Sequence, residues 1–162
     1  LIGSNYETIV RPHPETIRRE PELISNLRSR YGGNKLFSLD TSFSSDRSIL
    51  RADVLISDCS GIAFEYAFGT ERPVVFVDVP IKIKNPRYID LDIEPLELLL
   101  RPKMGVIVSP DKIDTIPGIV TSLQEQKERY REQLRHLRGK SVFSFGQSSS
   151  VGSKYILNAL AD

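Results

Sequence analysis

Two short segments carry the residue types from which a site can be built: Arg11-Pro12-His13-Pro14 and Ser57-Asp58-Cys59-Ser60-Gly61. Each sits where an apolar, strand-like run gives way to a helix-like stretch. In an open α/β sheet, ligands bind in the crevice beyond the carboxyl ends of the strands. A histidine there can donate to a phosphate oxygen or exchange a proton near neutral pH. Its flanking prolines restrict the backbone that carries it. The alternative is a loop histidine that packs against the next helix. In the second segment Ser60 falls at a helix N-cap and Gly61 at the first helical position. The first N–H groups of a helix lack internal partners, and with the helix dipole they attract anions. Gly61 leaves room for a phosphate to approach the backbone. Ser57 and Asp58 lead into that turn, which makes Ser57, Asp58, Ser60 and Gly61, with Arg11, candidate phosphate-binding positions. The alternative is an ordinary helix cap without a ligand.

Further candidates are weaker individually. Glu65 lies one turn into the same helix and can accept from ligand hydroxyls, or can be a solvated helix charge. Arg11, Arg72, Lys82, Lys84 and Arg87 are possible phosphate partners. Gln147 and Ser148 follow Gly146 and offer another small polar helix start. Cys59 reads as a small core residue rather than a nucleophile. His136, the other histidine, falls in a charged late helix.

The elements that must hold these residues alternate. Thr8, Ile9 and Val10 form a β-branched run that stops at Arg11-Pro12. Residues 14–30 read as a helix, broken or restarted at Pro21 and ended by Gly32-Gly33. A second strand spans residues 35–39, and Ser45 or Asp46 can cap a short helix through Ala52. The third strand, residues 53–57, is nearly continuous in apolar character, as expected for one covered on both faces. A helix follows over residues 60–69, then a valine-rich fourth strand over 73–79. Residues 80–102 are hard to read beyond a leucine cluster at 96–100. The fifth strand, 105–108, precedes Ser109-Pro110, a cap and first helical position. A long charged helix is expected over 119–138, stopped by Gly139, and a last one over 148–160. Strands alternating with helices imply a parallel sheet. The expected architecture is a single doubly wound α/β domain over residues 1–162 with about five parallel strands in one Rossmann-like sheet.

Composition narrows the rest. The 162 residues are 40% hydrophobic and 27% charged with a formal net charge of +1. That suits one globular domain and gives no argument for nucleic acid. The single cysteine excludes an intrachain disulfide. There is no stretch of the ~20 apolar residues that a transmembrane helix needs, and no signal peptide is visible. No spacing of zinc or calcium type occurs, and neither a P-loop nor a dinucleotide fingerprint is present, so no metal and no cofactor are expected. The start at Leu1, without methionine, fits a processed form, an incomplete chain or a domain excised from something longer.

In order and spacing, these motifs resemble the C-terminal half of the CDP-glycerol glycerophosphotransferase family, enzymes that build poly(glycerol phosphate) teichoic-acid chains. The likeness rests on Arg11-Pro12-His13-Pro14 and on Ile56 to Ala67, followed by Arg72-Pro73-Val74-Val75-Phe76. Gly146-Gln147-Ser148 matches a late Gly-x-Ser segment. Two positions differ: the family's second serine is Gly61 here, and a position often aromatic is Cys59. The resemblance implies a GT-B fold, in which this chain is the donor-binding domain and an N-terminal domain is its partner. It implies that His13 and Ser60 contact the phosphates of a CDP-activated alditol donor. The acceptor would be a polymer or lipid-linked hydroxyl, and the base that activates it would come from the N-terminal domain. The full-length protein would be cytoplasmic, peripheral on the inner face of the plasma membrane. Two other readings stay open: the C-terminal half of a UDP-sugar-using GT-B glycosyltransferase or epimerase, and a non-catalytic α/β interaction module.

Overall fold

The computed structural model describes residues 1–2, 5–42, 46–80 and 85–161. The cap at Ser45 and the basic positions Lys82 and Lys84 lie outside the described residues. The chain is α/β. Strands β1 (Thr8–Val10), β2 (Phe37–Leu39), β3 (Leu55–Ser57), β4 (Val74–Val77) and β5 (Gly105–Val108) alternate with helices. Every pairing between them is parallel. The helices are α1 (Pro14–Arg19), α2 (Pro21–Tyr31), α3 (Arg47–Arg51), α4 (Gly61–Thr70), α5 (Leu96–Met104), α6 (Ile116–Glu125), α7 (Lys127–Ser141) and α8 (Ser148–Ala161). Short 3-10 turns occupy Pro86–Leu91 and Pro110–Thr115.

Local chemistry explains most boundaries. Pro14 and Pro21 each open a helix, where the missing N–H costs nothing. Between them Glu20 is non-helical, with φ −130° and ψ 57°. The long charged helix expected over 119–138 is two helices. Gln126 leaves helical geometry at φ −97°, ψ 16°. The break has a packing reason: α6 and α7 cover opposite faces of one sheet, which a single straight helix cannot do. Gly139 does not stop α7, which continues to Ser141.

The single five-stranded sheet expected from the sequence is not formed. The five strands divide into a two-stranded sheet, β1-β2, and a three-stranded sheet, β3-β4-β5. Side chains connect the two through α3 instead of a ladder. Arg11, just after β1, donates to Ser48 Oγ of α3 at 3.1 Å, and Arg51 of α3 pairs with Glu7 before β1. Tyr6 and Thr121 of α6 share a hydroxyl hydrogen bond. A cleft of about 470 Å³ lies between the sheets.

The core belongs mainly to the three-stranded sheet. Successive side chains of a strand point to opposite faces. Val74 and Phe76 of β4 pack with Tyr66, Leu100, Met104 and Leu134 from α4, α5 and α7. Val75 packs on the other face with Val108, Val120 and Leu123. β4 is thus covered on both sides. Tyr66 is fully buried, and its hydroxyl donates to Ala52 O at 2.9 Å. Burial pushes its phenol well above the ordinary range.

Glu71 clamps α4 to α7. It terminates α4 in the left-handed region at φ 57°, and its carboxylate meets Arg131, Arg135 and Arg138 of α7 at 3.3, 2.8 and 2.9 Å. The hydrogen bond from Arg135, aided by those from Arg131 and Arg138, pulls its pKa from 4.5 down to about 2 against the effect of burial. A carboxylate held low contributes stability above its unfolded pKa and loses it as pH falls through the folded one. Glu71→Gln is therefore expected to lower stability at pH 7 by about 1–2 kcal/mol, screened because the arginines reach solvent. In urea denaturation the gap between variant and parent should close between pH 4.5 and 2. A gap that persists unchanged at pH 2 would exclude the clamp.

Candidate functional site

The parallel arrangement sends β1 into Arg11-Pro12-His13, β3 into Asp58-Cys59-Ser60-Gly61 and β4 into Asp78. Arg11 and Ser57 line the same cleft between the sheets. Arg11 is committed on one side: beyond Ser48 it lies 3.5 Å from Asp40 Oδ2, and Ser48 also donates to Asp40. Asp40 follows β2 directly, one strand away. Hydrogen bonds from Ser48 and from Ser42 N–H, with Arg11 beside it, hold its carboxyl below the usual range. Asp40 and Ser48 were absent from the sequence-based candidates. The signal for Asp40 was its place at a neighbouring strand end; Ser48 gives none.

His13 is exposed and caps α1: its Nδ1 accepts from Glu15 N–H at 3.1 Å. The neutral ring therefore carries its proton on Nε2, which is the atom left to donate outward. The N-cap bond thus occupies one ring nitrogen and leaves the other outside it, since the two nitrogens are distinct.

Ser60 takes the N-cap place of α4 with extended backbone at φ −110°, ψ 149°, yet its side chain makes no capping hydrogen bond. The helix start is thus open to an external acceptor. Gly61 is exposed, and a Cβ placed on it would meet nothing within 4 Å. The helix behind it is firmly seated, with Ala63, Tyr66 and Ala67 buried completely. Asp58 is half-buried and Glu65 is exposed on the outer face of α4.

The sites do not all converge. No hydrogen bond or ion pair joins His13 to Ser60. Gln147 and Ser148 are exposed at the start of α8 and bond within their own turn, to Ser144 O at 2.8 and 3.0 Å. Arg72 is a structural residue: it precedes β4, at the opposite end of the sheet from Ser57, and donates to Leu50 O and Ala52 O at 2.8 and 2.7 Å. Arg87 pairs with Asp90 at 3.2 Å.

One cation escaped the sequence reading. Arg101 of α5 is buried beneath the sheet, with its guanidinium 5.9 Å from the Phe76 ring. It donates to Asp78 Oδ1 at 2.8 Å, while its Nε and Nη1 have no partner among the described residues. It thus brings positive charge to the end of β4, the neighbour of β3. Its setting in a leucine cluster hid it.

Among the described residues, no group of three His, Cys, Asp or Glu side chains is placed to hold a metal ion, and no helix is long and apolar enough to cross a membrane. No family model, curated protein or solved structure matches this chain.

Proposed function

We propose that this chain is the donor-binding domain of a CDP-glycerol, or related CDP-alditol, glycerophosphotransferase. The observation that carries the reading is the open start of α4 at Ser60-Gly61, directly after β3, with Arg11 and His13 after β1. The motif resemblance supplies the identity of the donor. In this reading the chain is the Rossmann-like half of a GT-B enzyme and works with an N-terminal domain, the whole lying peripherally on the cytoplasmic face of the membrane.

The chain's part is to bind and orient. The first N–H groups of α4 and the Ser60 hydroxyl receive the donor pyrophosphate. His13 Nε2–H donates to a phosphate oxygen, and Glu65 accepts from a ribose or alditol hydroxyl. An acceptor hydroxyl attacks the β-phosphorus in line, the phosphoanhydride bond to CMP breaks, and CMP leaves with the electron pair. The acceptor's proton goes to a base outside this chain. Donors fixed before the reaction stabilise the charge that grows on the bridging oxygen.

Titration of residues 1–162 with CDP-glycerol, CDP-ribitol and a UDP-sugar tests this. The expected outcome is saturable binding of a CDP-alditol, weakened about tenfold by His13→Ala and by Ser60→Ala, as for loss of one charge-assisted hydrogen bond. Preference for the UDP-sugar points instead to a sugar transferase or epimerase. No binding of any nucleotide at millimolar concentration to a folded sample leaves an α/β interaction module.

A further inference from the structure

Two strand edges face each other across the cleft between the sheets. Among the described residues β1 pairs with β2 alone and β3 with β4 alone. Thr8 N–H bonds to Leu36 O at 2.7 Å, and Val10 O receives Asp40 N–H at 2.9 Å. Both contacts lie on the β2 side. Backbone groups of successive strand residues point to opposite edges, so the N–H and C=O of Ile9 face away from β2. On β3, Leu55 N–H is directed to Pro73 O at 3.4 Å, so the backbone groups of Ile56 face away from β4. Ile9 and Ile56 both line the cleft.

We propose that this cleft seats a further strand, a polypeptide segment from outside residues 1–162 that inserts parallel to β1 and β3. The product is one six-stranded sheet in the order β2-β1-X-β3-β4-β5. Three arguments converge on a strand as the occupant. The walls are two parallel edges, each offering donors and acceptors that a strand satisfies on both sides at once. Unpaired edges of this kind are templates for pairing with another strand. The doubly wound order 3-2-1-4-5-6 is filled at every position except the central one, the first strand of that order. The occupant therefore precedes β1 in the polypeptide. Its chemistry follows from the lining: Ile49, Val54, Ile62 and Val120 are among the lining residues, whereas Glu7, paired with Arg51, precedes β1 and Arg11 follows it. A continuous β-branched run without interior charge fits. Of the described residues before Thr8, Ile2 and Asn5 bridge to each other and Tyr6 is tied to Thr121, so they do not fill this role. The proposal is independent of which ligand the strand ends bind.

The test adds a synthetic peptide of about five consecutive Val and Ile residues, with lysines at both ends, to residues 1–162. Amide hydrogen exchange is read at Ile9 and Ile56. In the free chain these two amides should exchange much faster than that of Val75 in the core. The peptide should slow both by at least about tenfold and raise Tm saturably, and the same peptide with a central proline should not. Two results overturn the proposal: Ile9 and Ile56 already protected like Val75 in the free monomer, or neither amide responding to the peptide. Protection that appears only with dimerisation, and is unaffected by the peptide, overturns it too by making a second copy the occupant.

Discussion

Gly105→Ala should cost about 4 kcal/mol or more and leave little folded protein, the largest effect expected of any single methyl in this chain. Gly105 opens β5 opposite Val74. A Cβ there would stand 1.7 Å from Val74 O, 2.7 Å from its carbonyl carbon and 2.8 Å from its nitrogen. These are backbone atoms of the central strand, and no rotamer change relieves the contact. Moving β4 away would drag Val74, Val75 and Phe76 out of two cores, since all three are fully buried. The conformation of Gly105 is extended, at φ 168°, so the requirement is for space and not for a left-handed backbone. Gly139→Ala is the control: it lies inside α7 with open space where a Cβ would go. There the methyl should stabilise by about 0.5–1 kcal/mol through helix propensity. Urea denaturation of both variants checks the pair. Equal stabilities would exclude the close β4–β5 approach.

Gly61→Asp should separate folding from binding by moving them in opposite directions. Nothing lies within 4 Å of a Cβ at this position, so the side chain fits. A carboxylate in the first turn of α4 interacts favourably with the helix dipole and should raise stability by about 0.3–1 kcal/mol. The same charge would face the donor pyrophosphate. Two like charges ~4 Å apart near a protein surface repel by about 4 kcal/mol, so affinity for CDP-glycerol should fall on the order of 100-fold even after screening. Gly61→Ala adds bulk without charge and should weaken binding less. A Gly61→Asp protein that is folded, stable and binds with unchanged affinity would move the pyrophosphate away from α4.

The strands were readable because each is a short β-branched or apolar run closed by proline, aspartate or serine. Pro12 marks the end of β1, and Pro73 stands immediately before β4. Their division into two sheets was not readable. Pairing depends on which edges meet, and hydrophobic pattern reports faces, not edges. The same limit applies to the break at Gln126. Periodicity continues through it, and only the need for α6 and α7 to serve opposite faces of β4 explains it. At the candidate site, the Ser60 turn was legible as a strand-to-helix junction, and the structure adds that its side chain leaves the cap unmade. The partners of Arg11 were not legible. Asp40 and Ser48 are 29 and 37 residues further along the chain, and their meeting depends on how β2 and α3 fold back. Arg101 was hidden for a related reason, because a cation inside a leucine-rich helix gives no hint that it is buried against Phe76.

The central claim is that the start of α4 holds the donor's phosphates. Backbone amide NMR of residues 1–162 during titration with CDP-glycerol tests it most directly. The expected result is saturable movement of the Gly61 and Ile62 amide signals, accompanied by the His13 ring and absent in Gly61→Asp. Saturable binding that moves other signals and leaves Gly61, Ile62 and His13 in place would contradict it.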